Sequence, residues 1–275
     1  MNNWVKEVIG TDRALIGLCH FKALPGDPLY DADGGIEKVY EAAKLDIIAL
    51  QEGGIDAIHF SNEFSVPYLT EVPFETISAM AFLIGELKRD LRVPFGCNVI
   101  SDPKASVALA STTGAAFIRG TFTGAYSTNM GLVSAKGGEL VRLRHNLGRD
   151  DLKLIYYVVP ESAGDIGGRD PVEAMKASYF LDKPDALCVA GIVAGKKSDT
   201  ELMRKVRQTF PEAIIFANTG ITPDTIEEMF QVANAGFVGT YLKVDGVFEN
   251  PVDAERVKRL MDKARNIRER EGVAL

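Results

Sequence analysis

The sequence predicts a single (β/α)8 barrel over residues 1–275. Three observations carry that expectation. Short, apolar, β-branched runs alternate with stretches of helical period along the chain, as buried parallel strands and their crossover helices must. The alternation repeats eight times in 275 residues, the size of one such barrel. The first strand lacks the G-x-G-x-x-G turn that an open dinucleotide-binding sheet would carry after it.

The elements follow in order. "ALIGLCHF" (14–21) is an apolar strand, and "IEKVYEAAKLDIIALQEG" (36–53) repeats apolar residues at helical spacing until Gly53-Gly54 stops it. "IDAIHFSN" (55–62) is the second strand, and "FETISAMAFLIGELKRD" (74–90) is a helix opening after Pro73. "PFGCNVI" (94–100) leads into "DPKASVALASTTG" (102–114), with Asp102 as N-cap and Pro103 in the first turn. "AAFIRG" (115–120) is followed by a long Gly/Ser/Thr-rich loop and the helix "GELVRLRHNLG" (138–148). "LKLIYYVVP" (152–160) pairs with "PVEAMKASYFLDK" (171–183), and "DALCVAG" (185–191) with "SDTELMRKVRQTF" (198–210). "AIIFANTG" (213–220) precedes "TPDTIEEMFQVA" (222–233), and "AGFVGTYLK" (235–243) precedes "VDAERVKRLMDKARNIRER" (252–270).

Composition narrows the function. A formal charge of -7 argues against a nucleic-acid partner, which would need clustered Lys and Arg, but leaves room for a small anionic ligand. Cys19, Cys97 and Cys188 sit inside apolar runs without framework spacing, which points to buried, reduced thiols and a reducing compartment. "MNNWVKEVIG" lacks a signal-peptide pattern, and no apolar run reaches the 18 residues of a membrane span. A cytoplasmic protein is expected. No H-x-H on the first strand, no G-x-S-x-G, no Walker sequence and no zinc cluster appears, so nothing points to a metal or a named cofactor.

In such barrels the chemistry sits at the C-terminal ends of the strands. Strand seven ends in Asn218, Thr219 and Gly220 before Thr222-Pro223, and strand eight brings Gly239 and Thr240. Small residues next to a helix start suit a phosphate, because backbone N–H groups can approach it there. Turn-making and helix capping are the plainer explanation of the same residues. His20 ends strand one, and Asn62 and Glu63 follow strand two. His20 and Glu63 are candidates for proton exchange. His59 is expected to face outward, by alternation counted from an inward Asn62. Arg119 ends strand four and, buried in a barrel, must meet an anion or a carboxylate, Glu63 being one candidate. Asn98, Lys243 and, less specifically, Tyr157, Glu161, Lys196 and Lys197 complete the rim, with Lys243 also a marginal Schiff-base candidate.

With these residues in view, the chain resembles the BtpA/SgcQ family over nearly its whole length. The resemblance rests on "LIGLCHFKALPGDPLYD", "GGIDAIHFSNEFSVPY", "GAAFIRGTFTGAYSTNMGLVSAKGGELVRLR" and above all "GTYLKVDGVFENPVD". It implies a barrel of the ribulose-phosphate-binding type. One member of the family is tied to photosystem I biogenesis, another to a sugar-uptake gene cluster. The chain reads "NVISDP" and "YVVPES" where members often show N-V-L-R-N-D and D-V-H-V-K-H, so an Asp, a His and a Lys of the usual pattern are missing. It also reads "ANTG" where a Gly-Ser-Gly turn is common.

Two functions remain open at this point. One is an enzyme performing isomerase, epimerase, lyase or hydrolase chemistry on a phosphorylated sugar or nucleotide-like metabolite. Asn62, Asn98, Asn218, Thr219, Gly220, Gly239, Thr240 and Lys243 would bind the ligand, and His20, Glu63 and Arg119 would act on it. The other is a non-catalytic assembly or regulatory factor that senses such a metabolite or a protein partner. A homo-oligomer is expected from the habits of such barrels.

Overall fold

The computed structural model describes residues 3–191, 199–218 and 220–272. The chain starts with a short helix, α1 (Trp4–Ile9), before the first strand, β1 (Ala14–His20). The alternation then runs α2 (Gly35–Glu52), β2 (Ala57–Ser61), α3 (Phe74–Leu87), β3 (Phe95–Asn98), α4 (Pro103–Thr113) and β4 (Phe117–Gly120). After β4 come two small strands, β5 (Ala125–Thr128) and β6 (Gly131–Ser134), then α5 (Gly137–Asn146) and β7 (Lys153–Tyr157). A further small strand, β8 (Gly164–Asp165), leads to α6 (Pro171–Leu181), β9 (Ala186–Ala190) and α7 (Thr200–Thr209). The chain closes with β10 (Ile215–Asn218), α8 (Ile226–Phe230), β11 (Ala235–Val238) and α9 (Ala254–Arg270).

Eight of these strands form a closed barrel in the order β1-β11-β10-β9-β7-β4-β3-β2, and every pairing in it is parallel. The expected (β/α)8 architecture is therefore present, with strands a little shorter than the sequence suggests. The period of two divides each strand between two cores. Ala14, Ile16 and Leu18 of β1 point into the lumen with Phe117, Ile155, Cys188, Phe216 and Phe237, while Leu15 and Cys19 face the helices. The lumen is packed solid, as barrels of this size require. At β3 the Phe117 ring comes so close that a Cβ on Gly96 would lie 2.3 Å from it, which explains the glycine there.

Helix α1 plugs the N-terminal end of the lumen. Trp4 stacks on Phe216 with centroids 5.6 Å apart, and its indole N–H donates to the Asp185 carbonyl at 2.9 Å. The sequence pattern did not mark this plug, because six residues are too few to show a helical period. Asp102 caps α4 as expected, accepting from Ala105 N at 2.9 Å, and also holds Val72 N at 3.0 Å.

Two expectations need correction. The loop after β4 contains a hairpin: β5 and β6 pair antiparallel, and β8 from the loop after β7 joins them as β6-β5-β8. The helix expected over 222–233 is only α8, five residues long. The residues before it form a turn in which Thr225 Oγ1 donates to the Gly220 carbonyl at 2.8 Å and accepts from Thr222 N at 2.9 Å. Gly220, with φ +70°, occupies the left-handed region that this turn demands.

Candidate active site

The C-terminal ends of the barrel strands carry a layer of polar side chains above the aromatic lumen. His20 ends β1, Ser61 ends β2, Arg119 lies one residue from the end of β4, Tyr157 ends β7 and Asn218 ends β10. Alternation aims each of them inward, two or four residues after an inward apolar neighbour such as Leu18, Ala57, Phe117, Ile155 or Phe216. Glu63 and Glu161 lie on the loops just beyond β2 and β7.

Arg119 is the centre of the layer. It is buried, and its guanidinium lies 4.4 Å from the Phe237 ring centroid and 6.0 Å from that of Tyr157. Strands β4 and β11 are four apart in either direction around the barrel, so this side chain reaches across the axis. Nη1 donates to Asn218 Oδ1, and Nε has no hydrogen-bond partner among the described residues. Asn218 passes the contact on, because its amide nitrogen donates to Glu161 Oε1 at 2.8 Å and to the Tyr157 hydroxyl at 3.3 Å.

His20 and Glu63 stand together on the β1–β2 wall. His20 Nε2 is 3.9 Å from Glu63 Oε2, and neither ring nitrogen of this buried histidine makes a hydrogen bond among the described residues. Burial, then the nearby Lys243 and Arg119 charges, hold the imidazole well below its ordinary pKa, so it is neutral at pH 7. Burial raises the Glu63 carboxyl above its ordinary range, against the opposing pull of Arg119. Ser61 Oγ donates to Glu63 Oε2 at 3.3 Å, and the Tyr68 hydroxyl anchors the Glu63 backbone carbonyl at 2.9 Å. Glu161 is raised as well, by burial first and by the Glu63 charge, with Arg119 opposing.

The loops after β1, β2 and β11 roof this wall. The His20 ring lies 5.2 Å from Phe248, which lies 5.3 Å from Phe64. Lys22 sits 4.4 Å above the Phe64 ring and donates to the Glu249 carbonyl at 2.7 Å. Gly239 supplies the clearance: a Cβ there would come within 3.3 Å of His20 Cε1 and 3.2 Å of Leu18 Cδ1. An apolar roof over unpaired polar groups keeps water scarce and strengthens electrostatic interactions beneath it.

The structure thus brings His20, Glu63 and Arg119 into one layer, as expected, with Asn218 bridging Arg119 to Glu161. Other expected ligand contacts are placed differently. Asn62 Oδ1 accepts from Ile100 N at 2.8 Å and ties two loops together. Asn98 Oδ1 meets His59 Nε2 at 2.5 Å. The expectation that His59 faces outward is overturned, since its ring stacks 5.8 Å from Phe117 inside the lumen. The parity count failed because β2 ends at Ser61, so Asn62 lies beyond the regular pleat. Lys243 is also reassigned. A 3-10 turn over Thr240–Leu242 carries it toward α2, where it forms a buried ion pair with Asp46 at 2.7 Å. Arg119 makes its hydrogen bond to Asn218 in place of a direct pair with Glu63. Gly220, Gly239 and Thr240 lie on the loops after β10 and β11, where a phosphate was expected. Thr219, Lys196 and Lys197 fall outside the described residues. Sequence reading placed Glu161 on the rim without assigning it a role; its link to Asn218 depends on a contact 57 residues apart.

Among the described residues, no three His, Cys, Asp or Glu side chains gather as a metal site, and no helix is long and apolar enough to cross a membrane. The three cysteines are buried and free, and burial pushes the Cys97 and Cys188 thiols up to about 12.

The model of the BtpA family matches residues 11–266. The sgc region protein SgcQ of Escherichia coli K12 is 47% identical over 266 residues, covering 97% of this chain and 99% of that protein. The photosystem I biogenesis protein BtpA of Synechocystis is 28% identical, covering 92% of this chain and 88% of that one. Among solved structures, thiamine phosphate pyrophosphorylase from Pyrococcus furiosus superposes with a TM-score of 0.56 at 13% identity, over 96% of this chain and 99% of its own. Phosphoribosyl anthranilate isomerase from Thermus thermophilus gives 0.55 at 12% identity, over 93% and 100%.

Proposed function

The chain belongs to the BtpA family, and from that premise we propose that it is an enzyme acting on a small phosphorylated metabolite by proton transfer next to a carbonyl. One observation carries the reading. The barrel mouth buries a guanidinium and a neutral imidazole beside two half-buried, raised carboxyls, and among the described residues Arg119 Nε and both His20 nitrogens have no hydrogen-bond partner. Unsatisfied polar groups of this kind cost stability, and a fold concentrates them where a ligand completes them.

Each group has a role that its surroundings suit. Glu63 takes the proton, since its raised pKa makes it a stronger base than an exposed carboxylate. Arg119 steadies the negative charge that develops on the carbonyl oxygen, and its position costs no reorganisation during the step. Neutral His20 offers a ring N–H as a second donor or shuttles a proton to a neighbouring oxygen. The loops bearing Gly220, Gly239 and Thr240 would receive the phosphate, with Asn218 helping to set the register of the ligand. Structural relatives named for phosphorylated compounds share the scaffold at 12–13% identity, so the reading rests on this chain's own residues.

The test is a thermal-shift screen of the purified protein against inorganic phosphate, sugar phosphates and nucleoside monophosphates, with Gly239→Asp as control. A ligand that binds only the folded state raises its stability. Stabilisation of the wild type by one class of phosphorylated compound, lost in Gly239→Asp, supports the site. Indifference to every compound would remove the ligand on which the proposal depends.

A second reading, a non-catalytic assembly or regulatory factor, is favoured by the name of the Synechocystis relative, a photosystem I biogenesis protein. It predicts ligand binding without turnover, and any turnover abolished by Glu63→Gln excludes it.

A further inference from the structure

The groups at the mouth stand on opposite walls. Strands β1 and β7 are four apart in both directions around the ring β1-β11-β10-β9-β7-β4-β3-β2, and β2, which leads to Glu63, is three from β7 by the shorter path. His20, with Glu63 3.9 Å away, occupies the β1–β2 side. Tyr157 ends β7, and Glu161 follows it on the same side, held at 2.8 Å by the Asn218 amide. Arg119 lies between the walls, linked through Asn218 to Glu161 and resting on Phe237. A carboxyl on each side of a buried guanidinium is more than a single proton transfer needs. A 1,2-shift of a proton on one face can be served by one base. Inversion of a carbon requires a proton to leave one face and another to arrive on the opposite face.

We propose that Glu161, on the β7 side of the mouth with Glu63 on the β1–β2 side, is a second catalytic acid, and that the site therefore inverts a carbon next to the carbonyl of a phosphorylated ketose-like substrate. This deepens the proton-transfer function proposed above and rests on it. In the forward step the C–H bond on the Glu63 side breaks and its proton passes to the Glu63 carboxylate. The bonding pair forms the C=C bond of an enolate, and the carbonyl π pair moves to oxygen, opposite the Arg119 guanidinium. In the second step the enolate collapses, the carbonyl re-forms, and carbon takes a proton from the Glu161 carboxyl on the other face. Glu63 is left protonated and Glu161 ionised, the mirror image of the starting state. The reverse reaction, or proton exchange with solvent, restores it, and no oxidant or co-reactant is consumed. The two carboxyls are coupled, because burial first and then the charge on Glu63 raise the Glu161 carboxyl above its ordinary range, with Arg119 opposing.

The test follows exchange and inversion separately by proton NMR in D2O, using pentulose 5-phosphates and hexulose 6-phosphates as probes. The wild type is expected to replace the hydrogen next to the carbonyl with deuterium and to form the epimer. Glu161→Gln keeps an oxygen that accepts from Asn218. It is expected to continue the exchange on the face that Glu63 serves while epimer formation falls by roughly 100-fold or more, in line with loss of a general acid. Glu161→Asp retains the acid and is expected to recover part of the inversion, which also covers the case in which Glu161→Gln does not fold. Epimer formation by Glu161→Gln at the wild-type rate overturns the inference and leaves the proton-transfer function standing. So does equal loss of exchange and inversion in both variants, which would make Glu161 structural. Absence of exchange in the wild type with every probe overturns both.

Discussion

Arg119 shows at residue scale how stability and function separate. A buried guanidinium that among the described residues makes one side-chain hydrogen bond and leaves Nε unpaired is a poor contributor to folding. Arg119→Met keeps the length and apolar contact with Phe237 while removing the charge. It is predicted to leave the melting temperature unchanged or higher, and to lower turnover of a phosphorylated substrate by about 100- to 1,000-fold, the usual cost of losing a preformed charge stabiliser. Calorimetry and steady-state kinetics on the same preparation check both. Glu63 makes a pH prediction. Its folded pKa lies above the ordinary 4.5, so the native state holds a proton that the unfolded chain releases. Stability from this group is present below pH 4.5 and is lost as pH rises through the raised folded value. Glu63→Gln should therefore gain stability relative to wild type as pH increases across that window, a difference readable from urea midpoints. The sequence made His20, Glu63 and Arg119 legible because each is an unusual residue at the end of an apolar strand. It hid His59, whose direction depends on where β2 stops pleating, and the role of Glu161, which depends on a long-range contact.

At the scale of elements, the loop after the last barrel strand is tied to the first large helix by a buried ion pair. Lys243 Nζ meets Asp46 Oδ2 at 2.7 Å, and Asp46 Oδ1 accepts from Val252 N at 2.7 Å. Removing one partner strands the other charge in the interior. Asp46→Ala is predicted to destabilise the protein by about 3–5 kcal/mol, and Asp46→Leu combined with Lys243→Met to recover much of that loss. Denaturant unfolding of the single and double variants measures it. The sequence marked Lys243 as a ligand contact because it follows a strand, but the 3-10 turn that redirects it has no period to read. The same limit explains α8. Thr222-Pro223-Asp224 carries the signs of a helix start, yet Thr225 bonds back to Gly220 and delays the helix to Ile226. Long elements such as α2 and α9 were legible to within two residues, because their apolar faces repeat over several turns.

For the whole molecule, the lumen and its N-terminal plug form one packed column beneath the polar layer. Trp4 is the single tryptophan of the chain and packs against residues from β4 and β10. Its fluorescence should therefore change together with far-ultraviolet circular dichroism as the barrel unfolds. Trp4→Ala should lower stability by about 3–5 kcal/mol, the range for a large buried aromatic. The barrel itself was legible from eight repeats of one pattern, each weak and together decisive. The central claim is that the mouth above this column moves a proton. Its most direct measurement is the proton NMR signal next to the carbonyl of a phosphorylated ketose that stabilises the protein, followed in D2O with wild type and Glu63→Gln. The account predicts loss of that signal with wild type, and its persistence with Glu63→Gln while the ligand-induced stabilisation remains. A signal that persists with wild type, for a ligand that demonstrably binds, would contradict catalysis and leave a binding protein.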